Sequence, residues 1–262
     1  MTPVNVSQVG CTLGFEVSEP AEIVLQIAVA APETETLTIR SGGRAVEATE
    51  LPGRQHLVRA PTGRLTATYS ATAFAGNPKR AVTPIERVVA LRPSRYCPSD
   101  RIAGFAARQF GAYDPVTTVR KIALWVHENL TYEAGSSGPT TDAIDTLVDG
   151  RGVCRDYAHL VATLCRALDL PARVAAVYAP GLSPMDFHLV VETALDGAWR
   201  VWDATRLAPR QTLIRIATGR DAADTALATT ISGQTTMPEM LITAVAPGDL
   251  PFDDHTSLVT LP

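Results

Sequence analysis

The chain has 262 residues, 46% of them hydrophobic, 19% charged and 6% aromatic, with 23 basic against 27 acidic side chains for a net charge of -4. At roughly 100 to 200 residues per domain this allows one large or two modest domains that bury a core without disulfide or metal staples, and the balance excludes disordered, collagenous and coiled-coil chains. No apolar run reaches the roughly 18 residues that cross a bilayer, and the opening MTPVNVSQVG lacks a basic-then-apolar leader, so a cytoplasmic protein that does not engage a membrane is expected.

From Cys11 to about Leu91 short β-type runs alternate with turn residues. Strands are predicted over 22–29, 34–40, 55–59 and 65–73, where Leu65, Ala67, Tyr69, Ala71 and Ala73 alternate with polar or small residues. The breaks carry Gly42-Gly43, Pro52-Gly53, Pro61 and Asn77-Pro78. This part is expected to form a small antiparallel β-sandwich. Its charges count 10 basic minus 8 acidic, or +2, over residues 1–95, against 13 minus 19, or -6, over 96–262, and the division is placed near Arg92-Pro93.

The pattern then turns helical. Ser99-Asp100 can cap a helix to about Phe110, and Asp114-Pro115 supplies the cap and first-turn proline of a second. On the second, Val119, Ile122, Ala123, Val126 and Leu130 recur at three- and four-residue steps and mark a buried face. After the loop 135–139 come a short helix over 142–147, the turn Asp149-Gly150-Arg151-Gly152, and a long helix over 153–170 stopped by Pro171. Strands follow over 173–178, 187–194 and 198–204, with one more over 240–245.

The four cysteines, Cys11, Cys97, Cys154 and Cys165, are too few and too scattered for a disulfide framework, and no Cys-x-x-Cys suggests zinc or a redox pair. Cys165 lies eleven residues beyond Cys154, roughly 16 Å along the helix axis, out of disulfide range, and is read as core. Cys154 opens the long helix, where the positive dipole end and unpaired N–H groups favour a thiolate and can hold an oxyanion. On that helix Tyr157, Leu160, Val161, Leu164 and Leu168 form the buried side, and Arg155, His159, Thr163 and Arg166 the opposite, polar one.

Of the five histidines, His159 points about 140° away from Cys154 on the helix wheel, His127 sits near a helix end, His56 in the leader and His255 in a polar tail. His188 remains, at the start of a strand. The Asp196-Gly197 pair predicts a two-residue hairpin turn. Leu195 then pairs with Ala198, Val190 falls opposite Asp203 and His188 opposite Thr205. In this register His188 and Asp203 share a face as diagonal neighbours, about 7 to 8 Å apart at Cα. A three-residue loop would put Asp203 on the other face. A carboxylate able to orient an imidazole is therefore expected.

The segments Gly150-Arg151-Gly152-Val153-Cys154-Arg155-Asp156-Tyr157-Ala158-His159, Phe187-His188 and Val201-Trp202-Asp203-Ala204-Thr205 resemble the core of bacterial transglutaminase-like, papain-like cysteine peptidases, over about residues 95–225. The resemblance implies an α+β fold, helices packed on an antiparallel sheet, behind a β-sandwich-like leader. It implies Cys154 as nucleophile, His188 as general base and acid, and Asp203 as the orienting residue of an acyl transfer through a thioester, with no cofactor or metal. A cysteine peptidase or amidase acting on a peptide or protein amide is the leading expectation, with amine transfer or an idle interaction module as alternatives. Asp156 and Tyr178 are candidate substrate-binding residues, and 179–186 a candidate cleft-edge loop. The 21 arginines are scattered and Lys79 and Lys121 are the only lysines, so a nucleic-acid partner is not expected.

Overall fold

Long alternating segments build the first half of the molecule. The structure, a computed structural model, describes residues 6–74 and 81–262; the Asn77-Pro78 break lies outside the described residues. Strands β1 (Val6–Leu25), β2 (Thr34–Ser41), β3 (Arg44–Ala45), β4 (Ala48–Leu51), β5 (Gln55–Ala60) and β6 (Gly63–Phe74) come first. On β1 the residues Val9, Cys11, Leu13, Phe15 and Val17 are all buried, a period of two that continues the expected 22–29 strand back to Val6. One edge of β1 is shared: β6 pairs with Val6–Val17 and β5 with Ala21–Leu25. This makes one antiparallel sheet, curled around Leu13, Ile23, Leu25, Leu65 and Tyr69.

The helical half contains α1 (Pro84–Val89), α2 (Ala103–Phe110), α3 (Pro115–Asn129), β7 (Thr131–Tyr132), α4 (Ala143–Asp149), β8 (Arg151–Gly152) and α5 (Cys154–Arg166). Asp114 caps α3 by accepting from Thr117 N–H at 3.1 Å, with Pro115 in the first turn. Strands β9 (Ala172–Tyr178), β10 (Phe187–Leu195), β11 (Ala198–Trp202) and β12 (Ile214–Gly219) form an antiparallel sheet in the order β11-β10-β9-β12. It is buried on both faces: Val174, Val191 and Trp202 pack under the helices, while Ala175, Val177, Val190 and Val201 pack with Leu213 and Leu261 on the other side.

The last strand, β13 (Ala228–Val245), returns to the first sheet and runs antiparallel along the open edge of β1, from Gln8↔Val245 to Leu25↔Ala228. The division into 1–95 and 96–262 thus follows chain order but not sheet membership. Tyr178 ties the two sheets: its hydroxyl donates to the Ile27 carbonyl at 2.8 Å and its ring lies between Tyr69 and Phe187.

The polar side expected for α5 does not exist. Every residue from Asp156 to Arg166 is buried, because segments on the far side of the helix cover what the sheet does not. Arg166 is sealed in by donating to the Ala172 carbonyl at 2.9 Å and to the Arg92 and Arg220 carbonyls. The helix also ends before the expected residue 170, since Asp169 takes a left-handed conformation (φ 58°) that turns the chain into β9.

Candidate active site

Cys154 is placed by a tightly built turn. Gly150 takes a left-handed conformation (φ 67°) that ends α4, and Tyr132 of β7 pairs in parallel with Gly152 of β8, fixing the approach to α5. A Cβ on Gly152 would stand 2.6 Å from Cβ of Asp156, so only glycine lets the turn close over the first helical turn. Asp156 is the clasp: Oδ2 accepts from the Val153 N–H at 2.8 Å and from Ser137 Oγ at 2.6 Å. The resulting helix start leaves the Cys154 thiol half-buried, facing a cleft.

His188 and Asp203 meet it from the sheet. The hairpin has the predicted register, with Leu195↔Ala198 and Val191↔Trp202. Its Asp196-Gly197 turn has φ of 51° and 72°, positive at both central positions. His188 Nε2 and Asp203 Oδ2 are 2.8 Å apart, and both side chains are 1% exposed. Asp203 Oδ1 also accepts from the Thr205 N–H at 2.9 Å and from Thr205 Oγ1 at 2.7 Å. Next to it, His127 Nδ1 donates to the Ala204 carbonyl at 3.0 Å. With Nε2 turned to Asp203, Nδ1 of His188 is the nitrogen left to serve the Cys154 thiol in the cleft that both residues line.

These contacts govern charge. Burial opposes an imidazolium at His188, but the Asp203 charge and hydrogen bond, with the Cys154 thiol, outweigh it and lift the group above the usual imidazole range. Burial likewise opposes a carboxylate at Asp203, yet the facing imidazole and the two Thr205 donors hold it below the usual range. Burial pushes the other three thiols up, to about 11 for Cys11 and Cys97 and about 12 for Cys165.

The cleft has a volume of about 430 Å³. It lies where the two sheets meet, for its walls combine Cys154, Arg155 and His188 with Gln26 of the first sheet and the 222–228 segment that leads into β13. A smaller cavity of about 180 Å³ lies behind Asp203, lined by Arg120, Lys121 and Arg206 among others, and reaches neither Cys154 nor His188.

Two expected substrate contacts need correction. Asp156 is fully buried and spent on closing the helix start, and Tyr178 is fully buried between the sheets; neither lines the cleft. The 179–186 loop does not reach it either; the lining resumes at Phe187, where β10 begins. Of the two roles open to His159, polar-face or structural, the structure gives the second: it is buried, its Nε2 accepts from the Ala222 N–H at 3.0 Å, its ring stacks on Tyr96 at 5.2 Å, and burial pushes its pKa down to about 4.

Sequence reading missed Tyr132 and Tyr96. Tyr132 pairs with Gly152 two residues before Cys154, and burial followed by the Cys154 charge pushes its pKa up to about 12, so it stays protonated at neutral pH. It owes this place to a two-residue parallel bridge, which leaves no periodic trace.

Residues 103–204 match the model of the transglutaminase-like superfamily, a match that ends one residue past Asp203. The crystal structure of a candidate cysteine protease from Cytophaga hutchinsonii is 28% identical with a TM-score of 0.86, covering 98% of this chain and 96% of that one. An uncharacterized protein of Mycobacterium leprae is 30% identical over 148 residues, 52% of each chain, so the chain spans about half the length of this curated relative.

Proposed function

We propose that this chain, whose residues 103–204 match the transglutaminase-like superfamily, is a thiol-dependent enzyme of amide acyl transfer, a cysteine peptidase or amidase. The observation that carries this reading is the buried His188–Asp203 pair, 2.8 Å apart, in one open cleft with a thiol at a helix start.

Asp203 accepts the proton on His188 Nε2, which leaves the Nδ1 lone pair for the Cys154 S–H. Proton transfer gives a thiolate and an imidazolium, and the sulfur adds to the amide carbonyl. The oxygen that gains the electron pair is met by the positive end of α5, whose first N–H groups are fixed before the substrate arrives. The imidazolium protonates the nitrogen, the C–N bond breaks, and an amine leaves behind a thioester. Water, deprotonated by the neutral imidazole, resolves it to an acid; a primary amine in the same role forms a new amide. Peptides or proteins are the substrates proposed, and the four free cysteines agree with action in the reducing cytoplasm.

Incubation with a peptide library, with and without a primary amine, tests this by mass. Cleavage with gain of water is expected. Mass gain by amine incorporation alone would replace hydrolysis with cross-linking, and no product under any condition would overturn the enzymatic reading.

A further inference from the structure

Cys154 and His188 share their cleft with one permanently charged side chain, Arg155, and among the described residues lining it there is no Asp or Glu. A cation in the first turn of α5 faces the positive end of the helix dipole, where acidic residues are favoured, so helix stability does not explain it. Its Nη2 donates to the Gly138 carbonyl at 2.8 Å and to Ser137 Oγ at 3.1 Å, and Nε and Nη2 make a long ion pair of 3.5 Å with Oδ1 of Asp156, whose Oδ2 is taken by Val153 and Ser137. Nη1 bonds to no described residue, and the side chain is 29% exposed. A second guanidinium, Arg95, stands 5.2 Å above the ring of Tyr96, another cleft residue.

The helix start, Arg155 and His188 therefore share the cleft with the thiol, while the acids paired with them, Asp156 and Asp203, are buried and do not line it. The chain as a whole is acidic, at -4, so this positive wall is local. Opposite it the lining is apolar, with Ala176, Phe187, Ile216, Ala226 and Leu227. An anchored guanidinium with a free N–H is suited to a carboxylate.

We propose that Arg155 makes the cleft selective for acyl donors that carry a carboxylate beside the scissile amide, supplied by an acidic side chain or by a free chain terminus. The proposal rests on the acyl-transfer reading, but its first test needs no turnover. Iodoacetate and iodoacetamide alkylate the same sulfur by the same step: the thiolate displaces iodide, an S–C bond replaces C–I, and the thiol proton remains on His188. They differ in a carboxylate against a carboxamide. The ratio of their rate constants at Cys154 is expected to be roughly tenfold higher in the native chain than in Arg155→Gln. Arg155→Lys should keep most of that gain, and Ser137→Ala, which removes a support of the guanidinium but no charge, should keep it too. Raising ionic strength from about 0.05 to 0.5 M should shrink the native ratio. An unchanged ratio in Arg155→Gln, or, should that variant not fold, a salt-independent native ratio, would overturn the proposal.

The second test uses one peptide with Glu or Gln before the scissile bond, and its short form ending in a free or amidated carboxyl group. Preference for Glu assigns the carboxylate to a side chain, and preference for the free end assigns it to a terminus. Equal cleavage of all four overturns the selectivity and leaves the enzyme standing. No cleavage with the alkylation ratio intact defeats the acyl-transfer reading and leaves the anion preference.

Discussion

An Asp203→Asn variant is expected to lose about 10³- to 10⁴-fold in turnover of an amide substrate, with an unchanged far-ultraviolet circular dichroism spectrum. The size of the loss follows from which atoms Asp203 already uses. Oδ1 accepts from both the N–H and the hydroxyl of Thr205, so an Asn carbonyl oxygen would occupy that side and its NH₂ would face His188. The NH₂ donates to Nε2, which forces the imidazole proton onto Nδ1, the nitrogen that has to receive the thiol proton. The variant also lacks the negative charge that sustains the imidazolium. His159→Ala should leave the chemistry nearly intact, because that ring is buried against Tyr96 and the 222 amide and does not line the cleft. Asp203→Asn activity within tenfold of the native chain would show that Asp203 does not orient the base.

Removing Asp253 is the largest stability loss expected. The Arg210 guanidinium is buried and forms a two-pronged pair with this carboxylate, Nε to Oδ2 at 2.9 Å and Nη2 to Oδ1 at 2.8 Å. Nη1 donates to the Val201 and Ser257 carbonyls, both at 3.1 Å, so the same side chain braces the strand that leads to Asp203 against the C-terminal tail. Asp253→Ala leaves the buried cation only the longer, exposed ion pair with Asp254 at 3.7 Å and should destabilise the fold by about 3 to 5 kcal/mol, a fall in melting temperature of roughly 6 to 20 °C. The double change Arg210→Met with Asp253→Leu should recover much of it, since two apolar side chains need no counter-charge. Thermal unfolding of the three proteins decides the matter, and a single variant within about 1 kcal/mol of the native chain would contradict it.

The site was more legible than the scaffold around it, for reasons visible in particular residues. Asp196-Gly197 fixes a turn of two residues, and a fixed turn fixes the register out to His188 and Asp203. Gly150 and Gly152 likewise mark the only conformations that bring a chain from α4 into α5 at this distance. The first half of β1 carries a plain alternation from Val9 to Val17, but Gly10 and Gly14 sit on its other face and weaken the strand signal. Helix α1 has a capping box, Thr83 with Glu86, that can be read from Thr-Pro-Ile-Glu, yet it is one and a half turns long with no buried residue. Most of β13 could not be found by hydrophobic period: it is an edge strand whose residues 229–241 are largely exposed, held by its ladder to β1. The misreading of α5 has the opposite cause. Arg155, His159, Thr163 and Arg166 do form a polar stripe, but a stripe shows chemical type and not solvent, and here each of these side chains makes at least one hydrogen bond inside the protein.

The residues that wall the cleft were illegible because they come from distant parts of the chain. Gln26, Tyr96, Cys154, His188 and Leu227 are brought together by the return of β13 to β1 and by the Tyr178 tie between the sheets. Asp156 shows why a position next to the nucleophile is a poor guide to role: it acts on Cys154 by shaping the turn, through Val153 and Ser137, and is out of reach of any bound molecule.

The most direct measurement of the central claim is the rate at which each of the four cysteines of the native chain reacts with iodoacetamide at pH 7, resolved by peptide mass. Cys154 should be modified at least about 100-fold faster than Cys11, Cys97 or Cys165, whose thiols burial holds at about 11 to 12, and this lead should fall sharply in His188→Ala and hold in His159→Ala. Equal rates at all four, or a Cys154 rate indifferent to His188, would contradict the assignment of Cys154 and His188 as an activated pair.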